Sequence, residues 1–227
     1  MLREVVLDTE TTGLDPAEGH RIVEIAALEL VNHLPTGETF QTYLDPERDV
    51  PEEARRVHGL DRAFLTGQPT FAQVVDRLLA FLGESPLVIH NAAFDLAFLN
   101  AELARVGRPP IAASRVIDTL LLAQSRFPGA PVNLDALCRR FGVDASARTL
   151  HGALLDCRLL AEVYVHLLGG RQAGLALVAG ETPRAAPRAV SSEPRAPRPP
   201  RPHAPSAEEL AAHRAFVAQL VDPIWNR

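Results

Sequence analysis

The sequence predicts an α/β protein: a central mixed five-stranded sheet flanked by helices. Three observations carry this reading. Short apolar runs bounded by turn residues come first, at 4–8, 21–32 and 37–44. Two further runs, at 86–90 and 115–118, then alternate with segments whose apolar residues recur every three or four positions. Finally, 47% hydrophobic and 22% charged residues in a chain of 227 suffice for one good-sized core plus an appendage.

Residues 4–8 (EVVLD) read as a short buried strand, followed by the loop TTGLDPAEG. Residues 21–32 and 37–44 are two more strands, joined by a turn around Pro35 and Gly37. Phe71, Val74, Val75, Leu78, Leu79 and Leu82 form a helical stripe over 70–82. PLVIH at 86–90 is a strand, and 92–106 is a helix carrying Phe94, Leu96, Phe98, Leu99 and Leu103. A last strand at 115–118 precedes helices at about 119–126, 133–141 and 152–168. Composition changes sharply after Gly170. Residues 182–205 hold eight prolines and five arginines with hardly any large apolar side chain, too little to fold, so 171–205 reads as a disordered Pro/Arg-rich linker. Residues 206–227 turn helical again, with Ser206 and Glu209 matching a capping box and Leu210, Val217, Leu220 and Val221 along one side. A helix this short is marginal alone in water and is expected to dock, on its own domain or on a partner. The expected domains are therefore 1–170, the linker 171–205 and the docking helix 206–227.

A net charge of −5 excludes the broad basic face of a tight duplex-DNA binder. It does not exclude nucleic acid, because two divalent ions in a site reverse its local sign. Every basic residue is arginine, for which biased composition is the plainer explanation. Cys138 and Cys157 follow no metal-ligand spacing and read as buried reduced thiols, which suits a cytosolic protein. Charged Arg3 and Glu4 precede only a short apolar run, so no signal peptide is expected, and no apolar stretch is long enough to predict a membrane span.

The chemistry-bearing residues fall in three places. Asp8 and Glu10 are two apart at a strand end, where alternation puts both on one face, suited to a hard cation. Asp45-Pro46-Glu47 has the same spacing, but Pro46 makes it a turn with its carboxylates expected in solvent. Asp95 lies on an otherwise apolar helix, where an aspartate either faces solvent or is paired or metal-bound. His151 and Asp156 are five apart, about 140° around one continuous helix. A shared site therefore needs His151 on the loop before the helix, loosened by Gly152, with Asp156 one turn in. A histidine with pKa near ~6.5 can then serve as general base.

The order D-x-E on the first strand, Asp on a middle helix and H-x4-D on the last core helix resembles the DEDDh class of 3′→5′ exonucleases. DTETTGLD, VHGLDRAFL at 57–65, VIHNAAFDLAFLN at 88–100 and LHGALLDCRLLAEVY at 150–164 are similar to the proofreading epsilon subunits of bacterial DNA polymerase III. The resemblance covers about 4–168 and implies a ribonuclease H-like fold and a site for two Mg2+ or Mn2+ ions. It implies that Asp8 bridges both ions, that Glu10 and Asp156 complete the site of the attacking water, that Asp95 holds the second ion and that His151 takes the proton. Thr11, Thr12, Gly13 and Leu14 would meet the terminal nucleotide with Glu53 and His58, and Leu14 would wedge against its base. Four carboxylates this close cannot all stay ionised without cations. The implied partners are a single-stranded 3′ end of DNA, the sliding clamp through Gln172, Leu175 and Leu177, and the polymerase catalytic alpha subunit through Leu210, Val217 and Trp225. A small accessory subunit is a further candidate, no membrane is involved, and the place of action would be a cytoplasmic, nucleoid-associated replisome. The rival readings are an RNA-trimming enzyme of the same class and a non-catalytic adaptor between clamp and polymerase.

Overall fold

The computed structural model describes residues 2–146, 148, 150–170 and 204–220. The chain divides into two compact units, the second beginning at Leu177, and each is described by itself. The first is built on strands β1 (Arg3–Thr11), β2 (Ile22–Val31), β3 (Leu34–Tyr43), β4 (Leu87–Ile89) and β5 (Val116–Asp118), in the order β3-β2-β1-β4-β5. β1, β2 and β3 pair antiparallel, whereas β4 and β5 run parallel to β1. The expected mixed five-stranded sheet is thus present.

The helices are α1 (Glu52–His58), α2 (Arg62–Leu65), α3 (Phe71–Leu82), α4 (Ala92–Arg105), α5 (Thr119–Arg126), α6 (Leu134–Phe141) and α7 (Ala153–Leu167). They cover the two sheet faces separately. Val5 and Leu7 pack with Phe71, Leu78, Phe98 and Leu99 of α3 and α4. Val6 lies on the opposite face with Ala123, Leu137, Cys157 and Leu160 of α5, α6 and α7. This is the period-two alternation of a strand buried on both sides. Cys138 and Cys157 are buried and unpaired, as expected.

Two readings need correction. The β2–β3 turn is not at Pro35 and Gly37 but at Asn32-His33, both with positive φ (51° and 66°), between the paired Val31 and Leu34. A two-residue hairpin of this kind matches the strand twist and favours asparagine first. Pro35 lies inside β3 opposite Leu30, which is tolerated because β3 is an edge strand. Asp45 does not point into solvent either: its carboxylate accepts from Arg62 and from the Glu47 amide.

α1 and α2 were not legible by periodicity. α1 buries only His58 and α2 only Leu65, so neither carries an apolar stripe.

In the second unit α8 (Ala207–Val217) begins at Ser206 with both halves of the expected capping box: the Glu209 amide donates to Ser206 Oγ at 3.2 Å and the Ser206 amide to Glu209 Oε2 at 2.8 Å. Val217 is buried, while Leu210 and Leu220 are exposed. Gln172, Leu175, Leu177, Val221 and Trp225, with 171–203 of the linker expected at 171–205, lie outside the described residues. No helix among the described residues is long and apolar enough to cross a membrane.

Candidate active site

β1 runs three residues past its expected end, to Thr11, and this extension builds half of the site. Alternation turns Asp8 and Glu10 toward the α7 face and Thr9 toward α4. The β1–β2 register shifts between Glu10 and Thr11, a bulge that ends regular pairing where the strand enters the site.

Asp95 sits in the first turn of α4 and is 4% exposed, so it does not face solvent. Its Oδ1 accepts from the Thr9 amide at 3.0 Å and from Thr9 Oγ1 at 2.7 Å, which ties α4 to the strand bearing Asp8 and Glu10. Asn91, at the start of α4, has φ 64° and offers no side-chain cap. Asp118 at the end of β5 supplies one. Its carboxylate accepts from the Asn91 amide at 3.3 Å and the Ala92 amide at 3.1 Å, and also from Leu120 at 2.8 Å in α5. One aspartate therefore caps two helices.

Asp156 lies buried in the first turn of α7. His151 stands on the preceding loop, with Gly152 at the N-cap, in the geometry the five-residue spacing demands. The loop is held by the His151 amide donating to the Val57 carbonyl of α1 at 3.0 Å. Glu24, buried on β2, pins the start of α7: its Oε2 accepts from the Ala153 amide at 3.2 Å and its Oε1 from Gln41 Nε2 at 2.7 Å.

The sequence-predicted side chains open onto one cavity of about 1010 Å³, behind which Glu24 and Asp118 hold the helix starts. Asp8, Glu10, Asp95, Asp156 and His151 line it, and so do Thr11, Thr12, Gly13, Leu14, Glu53 and His58. Residues brought together from β1, α1, α4, α7 and the loop before α7 thus share one space. Within it, Glu10, His151 and Asp156 form the one group of described residues whose potential ligand atoms lie within 4.8 Å of one another. Asp8 and Asp95 stand outside that tight group but share its charge.

The electrostatics are those of crowded carboxylates. Burial, then repulsion from Asp156, Glu24 and Asp95, pushes Glu10 up to about 8. Burial pushes Asp95 up to about 7 despite the Thr9 hydrogen bonds. Asp8 is raised well above the usual carboxylate range, first by burial and then by Asp95, Glu10, Asp156 and Glu24. Asp8 is only part-exposed, and that through the cavity it lines. The expected conflict between like charges is present, and hard carboxylate oxygens are the donor set that a divalent cation relieves.

The TTG loop is tight. Thr11 Oγ1 donates to the Gly13 carbonyl at 2.6 Å, and Thr12 Oγ1 accepts from the Arg21 amide at 3.0 Å and meets His20 Nδ1 at 3.0 Å. A Cβ on Gly13 would come within 2.3 Å of the His20 ring, which explains glycine there. Leu14 then projects 85% exposed at the cavity rim, and Glu53 is exposed on α1. His58 is buried; Leu60 donates to its Nδ1 at 3.0 Å, and burial pushes its pKa down. Its Nε2 has no partner of good geometry, and the Thr11 backbone offsets only part of the burial effect.

Sequence reasoning missed four contributors. Glu24 and Asp118 act through helix starts, which no acidic spacing reveals. His90 lines the cavity with its Nδ1 on Thr119 Oγ1 at 2.9 Å and its buried Nε2 without a partner of good geometry, the Val132 backbone being near the ring. Arg148 is the largest omission. Its Nε and one terminal nitrogen donate to the two oxygens of Asp156 at 2.6 and 2.7 Å, and the other terminal nitrogen to Asp135 at 2.6 Å. Nothing about one more arginine among 23 basic residues marked it.

The family model described as Exonuclease (RNase_T) matches residues 5–164. The chain belongs to the exonuclease family. It is 49% identical over 225 residues to DNA polymerase III subunit epsilon of Rickettsia felis (strain ATCC VR-1525 / URRWXCal2), covering 97% of each chain. It is 43% identical over 221 residues to DNA polymerase III subunit epsilon of Escherichia coli (strain K12), covering 94% of this chain and 91% of that one. Among solved structures, exonuclease X in complex with 5′ overhanging duplex DNA matches with TM-score 0.55 at 23% identity, over 73% of this chain and 90% of that one. The nuclease domain of 3′hExo, a DEDDh family member bound to rAMP, matches with TM-score 0.61 at 23% identity, over 73% and 91%. At that identity these structures establish the fold, which is the ribonuclease H-like exonuclease fold. Family membership makes the chain a metal-dependent 3′→5′ exonuclease of the DEDDh class, grouped with the epsilon subunits.

Proposed function

We propose that this exonuclease removes mispaired 3′-terminal nucleotides from DNA as the proofreading subunit of a replicative polymerase. The observation that supports this most is the meeting of Asp8, Glu10, Asp95, Asp156 and His151 on one cavity, from three separated stretches of sequence. Two Mg2+ or Mn2+ ions held there supply activation of water and charge stabilisation at the leaving 3′-oxygen. Asp8, which feels the charge of Asp95, Glu10 and Asp156 alike, would help hold the ions. Glu10 and Asp156, close to His151, would hold an ion beside the attacking water, and Asp95, on the same cavity, would hold the second. His151 takes the proton from that water. Thr11, Thr12, Gly13 and Leu14 hold the terminal nucleotide with Glu53 and His58, and exposed Leu14 wedges against the base. Selectivity follows from fraying, since a mispaired end unstacks at lower cost and reaches the cavity more often.

Gln172, Leu175 and Leu177 are the proposed clamp contact, and Leu210, Val217 and Trp225 the proposed contact with the polymerase alpha subunit, at a cytoplasmic, nucleoid-associated replisome. A small accessory subunit is a further proposed partner. Relatives named as DNA polymerase III subunits match this chain nearly end to end, which supports assembly with a polymerase. Digestion of 5′-labelled DNA with paired or mispaired termini, beside single-stranded RNA, tests the reading. Faster shortening of the mispaired DNA is expected. Preferential degradation of RNA supports the RNA-trimming rival, and no degradation of any strand supports the adaptor.

A further inference from the structure

Arg148 occupies the place in the cavity where a cation held by Asp156 belongs. Its Nε donates to Asp156 Oδ1 at 2.6 Å and a terminal nitrogen to Oδ2 at 2.7 Å, so both oxygens of this carboxylate are engaged by one planar fork. The same terminal nitrogen lies 2.9 Å from His151 Nδ1. A guanidinium only donates, so Nδ1 accepts there and the proton of the neutral ring sits on Nε2. His151 Nδ1 and Asp156 Oδ2, 3.5 Å apart, are therefore joined through Arg148 rather than to each other. With Nδ1 occupied and Nε2 protonated, the ring has no lone pair for a proton from water. One side chain thus engages the carboxylate and the base together.

The outer edge of the fork is anchored elsewhere. The second terminal nitrogen donates at 2.6 Å to Asp135 in the first turn of α6, whose side chain is 49% exposed. Letting go of Asp156 and His151 does not require letting go of Asp135. The guanidinium then has a place to stay at the cavity rim.

We propose that Arg148 is a chain-borne cation exchanged for the divalent ion: it holds Asp156 and His151 together and leaves Asp156 when the ion arrives, freeing the histidine at the same moment. This rests on the two-ion reading above. The exchange keeps one positive charge beside crowded carboxylates at all times and makes the base available only in the loaded site.

The test is Mn2+ binding to the full chain, followed by paramagnetic resonance of free Mn2+, for the wild type, Arg148→Gln and Arg148→Lys. Circular dichroism establishes that each is folded. Lysine keeps the charge but loses the fork, so it separates competition for the oxygens from simple charge. Both variants are expected to bind Mn2+ about tenfold tighter than the wild type, the worth of the charge-assisted pair that the ion no longer displaces. A merely structural arginine gives the opposite sign, because its loss loosens the site. Equal or weaker binding in the variants overturns the exchange. Tighter binding in Arg148→Gln with wild-type binding in Arg148→Lys also overturns it, since charge alone then suffices. If Arg148→Gln fails to fold, Arg148→Lys decides. Wild-type protein that binds no Mn2+ defeats the two-ion reading itself, whereas wild-type binding unchanged by either variant defeats only the exchange.

Discussion

His151 lies beside a carboxylate five residues later because a loop, not a helix, carries it. On one helix the two side chains diverge by about 140°; with Gly152 at the N-cap of α7 they lie within 4.8 Å of each other and of Glu10. That was legible in the sequence, since the spacing itself demanded the loop. Asp95 was legible only as an anomaly, an acid on an apolar helix, and the Thr9 hydrogen bonds that settle its direction come from a strand 86 residues away. Arg148 and Glu24 were not legible, because their parts depend on partners that spacing does not encode. If His151 takes the proton, His151→Gln should lower kcat by about 10²–10⁴-fold while KM for a single-stranded oligonucleotide changes little. Steady-state kinetics check this, and a loss confined to KM would make His151 a substrate contact instead.

At the scale of elements, helix starts place two of the four proposed catalytic carboxylates, Asp95 and Asp156. Asp118 fixes the first turns of α4 and α5, and Glu24 fixes that of α7. Both are acids at helix N-termini, where the backbone dipole and open amides favour negative charge. Periodicity found α3 to α7 because each carries an apolar side, and it missed α1 and α2 because each buries a single residue. It also misplaced the β2–β3 turn, where Asn32-His33 outweighed the more conspicuous proline and glycine. Glu24→Ala leaves the buried Ala153 amide unpaired and should destabilise the chain by about 1–3 kcal/mol in urea unfolding. Glu24→Gln, which retains an acceptor, should cost less. Equal stability of the alanine variant and the wild type would show that α7 is held without this contact.

At the scale of the molecule, the sheet separates two packed faces and leaves the ends of β1 and β4 open to the cavity. Proton linkage gives this arrangement a measurable signature. Glu10 and Asp95, raised to about 8 and about 7, bind more protons folded than unfolded above their ordinary range. Their contribution to stability therefore falls as pH rises from about 4 through these values. Buried His58 and His90, with lowered pKa, contribute in the opposite sense, so stability from them rises as pH climbs through about 6.5. A divalent cation favours the charged carboxylates, so its binding competes with their protons. The increment in melting temperature on adding Mg2+ should accordingly grow between pH 6 and 8, measured by differential scanning calorimetry against a chelator-treated sample. An increment constant or shrinking over that range contradicts a cation held by these groups.

If carboxylates from β1, α4 and α7 act as one metal-dependent nuclease site, removing the metal and removing Asp8 should each stop cleavage. Digestion of a 5′-labelled single-stranded oligonucleotide by chelator-treated protein, with and without restored Mn2+, tests it most directly when run beside Asp8→Ala. The expected result is shortening from the 3′ end only with Mn2+ and only in the wild type, with the variant still folded. Shortening that persists in chelator, or that Asp8→Ala retains in full, would contradict it.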